Sequence, residues 1–220
     1  MFRNLARAAA VLAACAALAG VQAGTAHAAG PSVLGGGSGI IVNDQGVCTL
    51  TTIGHDAAGR LVGVTAGHCS IAGDTIVAEA NRDAGVVGTF AYSNLDMDYA
   101  VIAFDSDKVV PVNRVGNTTI TGLGGPAQFP DVACKEGYTT GQTCGLAYGD
   151  LNQTNTWTWT QICVLPGDSG APVVVGTTLV GMVNGYLRVP CLGPELGANI
   201  AAILDDINTR GGIGAGFHPI

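Results

Sequence analysis

An all-β protein is expected from three features of this sequence. Glycine accounts for 34 of 220 residues, well above the usual share of about 7%. Charged residues make up only 11% and aromatics 5%. From Ile40 onward, short apolar runs alternate with turn-forming residues, the pattern of many strands joined by turns in a barrel or sandwich. The same composition excludes a coiled coil, which needs abundant charges and helix formers. It also excludes a disordered chain, because 48% apolar content supports a large core. The length allows one or two compact units. A net charge of −7 has the wrong sign for a nucleic-acid binder, so no nucleic-acid partner is expected.

Residues 1–28 read as a signal peptide. Arg3 and Arg7 give a positive start, Ala8 to Gly20 is apolar, and Ala26-His27-Ala28 forms a small-x-small cleavage site. A rival within this segment is the lipoprotein-like box Leu12-Ala13-Ala14-Cys15. The apolar stretch runs past Cys15 to the better site, which favours cleavage after Ala28. Arg3 and Arg7 are not adjacent, so there is no twin-arginine signal. Later apolar runs fall short of the ~20 residues that span a bilayer. The expectation is a secreted protein, soluble and off the membrane once the signal is removed.

Residues 29–39, rich in Gly and Ser, read as a flexible lead-in. An N-terminal β-barrel is expected over 40–115, and a C-terminal β-barrel with a terminal helix over 116–210. The stretch from Pro111 to Asp131, with three prolines and four glycines, is the candidate connection. Thr156-Trp157-Thr158-Trp159-Thr160 alternates at period two, so both tryptophans share one face of a strand. Their expected role is strand packing. Gly176-Thr177-Thr178 divides two apolar runs as a hairpin turn. Ile200, Ile203, Leu204 and Ile207 are spaced i, i+3, i+4, i+7 as one helical face, which Gly211-Gly212 ends. The tail, 211–220, has no clear pattern.

Setting Cys15 aside, six cysteines remain: Cys48, Cys69, Cys134, Cys144, Cys163 and Cys191. An even number in an exported chain reads as disulfides. Fifteen pairings are open. They are scattered and no Cys-x-x-Cys occurs, so no metal site and no cofactor is expected.

Two segments carry chemistry: Thr65-Ala66-Gly67-His68-Cys69 and Pro166-Gly167-Asp168-Ser169-Gly170. Between them lies Asp96-Met97-Asp98-Tyr99-Ala100-Val101, at the head of an apolar strand. A serine hydroxyl is a weak nucleophile at neutral pH and needs an adjacent base. Imidazole, which ordinarily titrates near 6.5, suits that task. A carboxylate must then fix the histidine tautomer. All three side-chain types occur, in the order His, Asp, Ser.

These motifs, in this order and separation, resemble the chymotrypsin-like serine proteases. The finer resemblance is to the bacterial secreted branch of streptogrisins and alpha-lytic protease. The run from Cys134-Lys135-Glu136-Gly137 through Thr143-Cys144-Gly145 is similar to that branch's disulfide hairpin, and the resemblance covers most of residues 40–208. It implies two six-stranded antiparallel Greek-key barrels and a C-terminal helix. It implies Ser169 as nucleophile, His68 as base and then acid, and Asp98, not Asp96, as the group orienting His68. It further implies an oxyanion hole from the amides of Gly167 and Ser169, and pairs Cys48–Cys69, Cys134–Cys144 and Cys163–Cys191. Where the branch uses an arginine, Lys135 is expected to form an ion pair with Asp168.

The sequence departs from the family at several points. Ala171 replaces the usual second glycine after Ser169, and the substrate strand reads Asn184-Gly185-Tyr186. Asn184 is expected to hydrogen-bond near Asp98, and Tyr186 to narrow or cap the specificity pocket. No long pro-region precedes the domain, so the expectation is unaided folding or unusual activity. Val164 and Val183, with no acid where trypsin-like members hold one, point to an uncharged or apolar residue before the scissile bond. The leading expectation is a serine endopeptidase acting through an acyl-enzyme on protein or peptide substrates, as a monomer, with a rate rising across roughly pH 6 to 8. The alternatives are a non-catalytic binding protein on the same scaffold and an esterase with the same triad.

Overall fold

The computed structural model describes residues 29–69 and 71–220. The signal peptide, its cleavage site and Cys15 lie outside the described residues. The first half contains β1 (Ser32–Leu34), β2 (Gly39–Val42), β3 (Gly46–Thr49), β4 (Thr52–His55), β5 (Leu61–Ala66), β6 (Thr75–Ala78), β7 (Val86–Asn94), β8 (Tyr99–Phe104) and β9 (Val109–Pro111). Three two-residue strands follow: β10 (Arg114–Val115), β11 (Thr118–Thr119) and β12 (Gly122–Leu123). The second half contains β13 (Val132–Gly137), β14 (Gly141–Gly149), β15 (Trp157–Thr160), β16 (Pro172–Val175), β17 (Thr178–Tyr186) and β18 (Glu195–Asn199), then helix α1 (Ile200–Arg210) and β19 (His218–Pro219).

The strands form the expected double-barrel architecture. In the second half β17, β16, β13, β14, β15 and β18 follow one another, and a β17–β18 ladder closes the ring of six. The first half is a curled sheet in the order β19-β4-β5-β8-β7-β6-β2-β3. Its end strands, β19 and β3, are not paired with each other among the described residues, and the backbone from Thr49 to Thr51 bonds elsewhere. Thr49 donates its amide to Ser169, Leu50 to Ser38 and Thr51 to Val64.

Each half encloses an apolar core, one including Ile40, Leu50, Ile76, Phe90 and Ile102, the other Ala133, Ile162, Val173 and Val180. A third cluster joins them: Val64, Ala66, Tyr99 and Val101 from β5 and β8, Met182 and Ala198 from β17 and β18, and Ile203 and Ile207 from α1. The helix lies on the expected face, with Ile200, Ile203 and Ile207 buried. It ends where the Gly211 amide bonds the Ile207 carbonyl. Burying such side chains stabilises by ~1.5–3 kcal/mol each, so this seam holds the two halves in register.

Two sequence expectations are corrected. Residues 29–39 are not a loose lead-in: β1 pairs with β9 in parallel, and Ser32 and Leu34 are buried. The glycines there serve close packing, since a side chain on Gly36 would run into the Thr51 carbonyl and Ile120. The tail likewise has order. β19 pairs with β4, setting His218 opposite His55 and Pro219 opposite Gly54, so the C-terminal residues complete the N-terminal sheet. In β15, Thr158 and Thr160 are buried while Trp157 and Trp159 are only partly covered. The tryptophans share a face, and the threonines take the interior.

One buried carboxylate anchors the tail. Asp56 accepts bonds from the amides of Ala58 (3.0 Å) and Arg60 (3.0 Å), from Arg60 Nε (2.7 Å) and from the Gly214 amide (3.1 Å). Burial pushes its pKa up, but these donors outweigh burial and hold it below the usual carboxylate value. Its contribution is therefore present above the unfolded-state pKa and is lost as pH falls through the folded one. Asp56→Ala is expected to cost roughly 2–4 kcal/mol, because buried donors lose their acceptor. Urea unfolding at pH 7 checks this, and a change under 0.5 kcal/mol, as an estimate of a typical surface effect, speaks against the anchor.

Candidate active site

The site forms where the two halves meet. Strand register brings its first two members together. Ala66 at the end of β5 pairs with Tyr99 at the start of β8, so the short 3-10 turn Gly67–Cys69 sits beside Asp98. Gly67 allows this approach, since a side chain there would meet Asn94 O and Tyr99 N at 2.8 Å. The chain reaches Asp98 through a turn in which Asn94 Oδ1 accepts the Asp96 and Met97 amides. Asp98 itself is left-handed, with φ of 50°.

His68 Nδ1 lies 2.8 Å from Asp98 Oδ2, and the His68 amide donates to Asp98 Oδ1 at 2.7 Å. His68 Nε2 lies 2.8 Å from Ser169 Oγ. Asn184 Nδ2 donates to both the carbonyl (2.7 Å) and Oδ2 (2.9 Å) of Asp98, while its Oδ1 accepts the Ala198 amide. Burial raises the Asp98 pKa, but the bonds from His68 and Asn184 and the His68 charge outweigh it and hold the carboxyl below its usual value. Asp98 is thus an ionised acceptor fixed on three sides. Among the described residues Asp96 makes no hydrogen bond to His68, its amide donating to Asn94 Oδ1 instead.

Ser169 stands on a loop held by both halves. Asp168 is fully buried. Its Oδ1 accepts the amides of Thr139 (2.9 Å) and Thr140 (3.1 Å), and its Oδ2 accepts Thr140 Oγ1 (2.6 Å) and the Leu165 amide (2.9 Å). Lys135 Nζ lies 3.6 Å from Asp168 Oδ2, both side chains wholly buried. It also donates to Thr140 Oγ1 and, at 2.6 Å, to the Gly141 carbonyl. Burial pushes the Lys135 pKa down, with Asp168 offsetting part of the effect. Gly170, at φ 86°, leaves no room for a side chain against Thr49 O and Thr65 Oγ1. Ala171 is buried there and donates its amide to the Asp168 carbonyl.

The sequence reading missed Thr49 and Thr51. Thr49 Oγ1 donates to Gly167 O (2.8 Å) and accepts the Tyr138 amide, and Thr51 Oγ1 donates to Gly170 O (2.7 Å). These threonines tie the serine loop to the sheet that carries His68. The serine-loop carbonyls they bond are more than a hundred residues away, and no local pattern marks them.

All six cysteines of the described residues are paired, as Cys48–Cys69, Cys134–Cys144 and Cys163–Cys191. The first tethers the histidine turn to β3, and the third links the serine loop to the segment after β17. The cleft has a volume of about 420 Å³ and is lined by His68, Ser169, Gly167, Val164, Val183, Asn184, Gly185 and Tyr186, among others. Val164 and Val183 are buried, and Tyr186 is at the surface. Gly167 has φ of 100°, and neither its amide nor that of Ser169 donates a bond among the described residues.

Such a cleft between two barrels defines a class, the chymotrypsin-like serine peptidases, and comparison with known proteins agrees. Serine protease 2 of Streptomyces fradiae is 28% identical over 166 residues, covering 69% of this chain and 94% of that protein. Streptogrisin-C of Streptomyces griseus is 28% identical over 130 residues, covering 55% of this chain and 28% of that protein. Among solved structures, Nocardiopsis protease aligns with a TM-score of 0.69 at 26% identity, over 80% of this chain and 97% of that one. Cellulomonas bogoriensis chymotrypsin aligns with a TM-score of 0.66 at 26% identity, over 86% and 98%. No protein-family model matches the sequence. In sequence and fold the chain is thus similar to bacterial chymotrypsin-like serine proteases, and this likeness supports a serine-type endopeptidase.

Proposed function

We propose that this peptidase hydrolyses peptide bonds through an acyl-enzyme formed on Ser169. The observation that carries the reading is the continuous chain of short contacts from Asp98 through His68 to Ser169, 2.8 Å at each step, opening into one cleft. His68 Nε2 takes the proton from Ser169 Oγ as Oγ attacks the carbonyl carbon, then delivers it to the departing amine. Asp98 holds Nδ1–H and balances the imidazolium. The amides of Gly167 and Ser169 receive the oxyanion, each worth ~3–4 kcal/mol in such a site. A water activated by His68 then releases the acyl group. Val164, Val183 and Gly185 support an uncharged or apolar residue before the scissile bond, with Tyr186 narrowing the pocket mouth. Lys135 and Asp168 keep the serine loop formed. The proposed setting is outside the cell, as a monomer, after removal of residues 1–28. Among the described residues, no helix is long and apolar enough to cross a membrane.

Labelling by a fluorophosphonate probe, with Ser169→Ala as the unlabelled control, tests the nucleophile, and a peptide library then separates peptidase from esterase. A chain that resists the probe is the non-catalytic form of the fold. Asn184 is a positioning residue acting through Asp98. Asn184→Ala removes two bonds to Asp98, each worth ~1.5–3 kcal/mol when charge-assisted. It is expected to lower kcat by about 10- to 100-fold with KM little changed, and to move the acid limb of the pH–rate profile upward, since a support of the depressed Asp98 pKa is lost. An unchanged profile argues against this role.

A further inference from the structure

The turn that carries Asp98 is held from a part of the chain that the proposed chemistry does not use. Residues 95–98 join β7 to β8, and the two ends of this turn, Asn94 and Tyr99, are cross-strand partners. Both side chains converge on one atom of helix α1. Asp206 Oδ2 accepts the Tyr99 hydroxyl at 2.5 Å and Asn94 Nδ2 at 3.0 Å. These partners lie 107 and 112 residues from Asp206 in the chain. Tyr99 is completely buried, and Asp206 and Asn94 are half-buried. One helical turn on, the Arg210 guanidinium stands 3.9 Å over the Tyr92 ring, and the Tyr92 and Tyr99 rings are 6.1 Å apart. Residues four apart share a helical face, so Asp206 and Arg210 together grip β7 and β8 at the foot of the Asp98 turn.

The grip has a direction. A carboxylate only accepts hydrogen bonds. Asp206 therefore turns the NH2 end of the Asn94 amide towards the helix and leaves its oxygen facing the turn. That oxygen accepts the amides of Asp96 (3.0 Å) and Met97 (3.1 Å). The next residue, Asp98, sits at φ 50°, a region that a non-glycine residue keeps only where its surroundings impose it. Its carboxylate has to meet both the amide and Nδ1 of His68. Asn184 fixes Asp98 from the second barrel. Asn94, set by Asp206, shapes the backbone that delivers it. Burial, then the bond to Asp206, pushes the Tyr99 hydroxyl above its ordinary pKa, so it stays a donor to that carboxylate across the neutral range.

We propose that Asp206 is a positioning residue for the proposed triad: through Asn94 and Tyr99 it fixes the turn that presents Asp98 to His68. The proposal rests on the peptidase reading above and adds the C-terminal helix to its working parts. Among the described residues Asp206 makes no hydrogen bond to Asp98, His68 or Ser169. It acts on where Asp98 stands, and so on how firmly the His68 imidazolium is held while Ser169 attacks. A displacement of about 1 Å, caused far from the chemistry, costs on the order of 100-fold in rate. A turn released from Asp206 gains that freedom.

The test measures kcat and KM on one peptide over roughly pH 5 to 9, with active sites titrated so that unfolded chains are not counted. Asp206→Ala is expected to lower kcat by about 10- to 100-fold, with KM within about twofold. It should also move the acid limb of the pH–rate profile down, because the imidazolium loses a well-placed counter-charge. Asp206→Asn keeps an oxygen that accepts both bonds and should hold kcat within about threefold, which separates position from charge. Ile200→Ala, on the same helix but packed against Ile120, Val174 and Leu179, should lower the unfolding midpoint and leave titrated kcat within about twofold. Should Asp206→Ala fail to fold, Asn94→Ala breaks the same link and carries the same expectation. An unchanged kcat, an acid limb that does not move, an Asp206→Asn variant as impaired as the alanine one, or an equal loss in Ile200→Ala overturns the positioning role and leaves the peptidase reading intact. Absence of both fluorophosphonate labelling and hydrolysis in the unaltered protein overturns the peptidase reading first, and this one with it.

Discussion

Ser169→Ala is expected to lower peptide turnover on the order of 10⁶-fold. The hydroxyl lies 2.8 Å from His68 Nε2, and the variant removes the oxygen proposed to form the acyl bond. Ser169 Oγ makes no other hydrogen bond among the described residues, so the fold should survive and the loss should be chemical. His68→Ala should cost a comparable factor, and the double variant little more than either alone, since a nucleophile and its base act as a unit. Active-site-titrated kcat on one peptide, with unfolding midpoints as control, checks this. Retention of turnover within tenfold of the parent places the nucleophile elsewhere.

Lys135→Met should carry the largest stability loss, about 3–5 kcal/mol, because it strands a buried carboxylate. Asp168 would keep its bonds from Thr139, Thr140 and Leu165 but lose the cation 3.6 Å away. Lys135 is itself held at a lowered pKa by burial, so the pair is no net gift to stability; its value lies in the penalty for breaking it. Adding Asp168→Asn should recover part of the loss, since neutral partners need no counter-charge. Urea unfolding reads the stability, and peptidase activity should fall with it as the serine loop relaxes. A single-variant loss below about 1 kcal/mol would show that the buried contact behaves like a surface one.

The residues doing the proposed chemistry were legible because their surroundings are local. His68 and Ser169 each sit in a five-residue segment of small residues, where glycine allows close backbone approach, and Asp98 heads an apolar strand. The six cysteines left fifteen pairings open on their own; the resemblance named three, and the structure contains them. Helix α1 was readable from its 3.6 periodicity. The Gly-rich segment 29–39 was misread because glycine suits both loose chain and tight packing, and only the Thr51 carbonyl against Gly36 distinguishes the two. The tail failed for a related reason: a two-residue strand has no periodicity to detect, and its order comes from β4 and Asp56.

By itself the amino-acid sequence determined the strand-rich class, the helix and the three side chains proposed for the chemistry, because these follow from short-range spacing and residue type. Tertiary structure alone decided that Thr49 and Thr51 would lash the serine loop to the opposite sheet, that Lys135 would reach Asp168 in the interior, and that Glu195 would be buried in the second barrel with Thr160 on one carboxyl oxygen. Each of those depends on strand register between segments distant in the chain. A one-residue slip of register turns every side chain to the other face, and no local sequence pattern reports it.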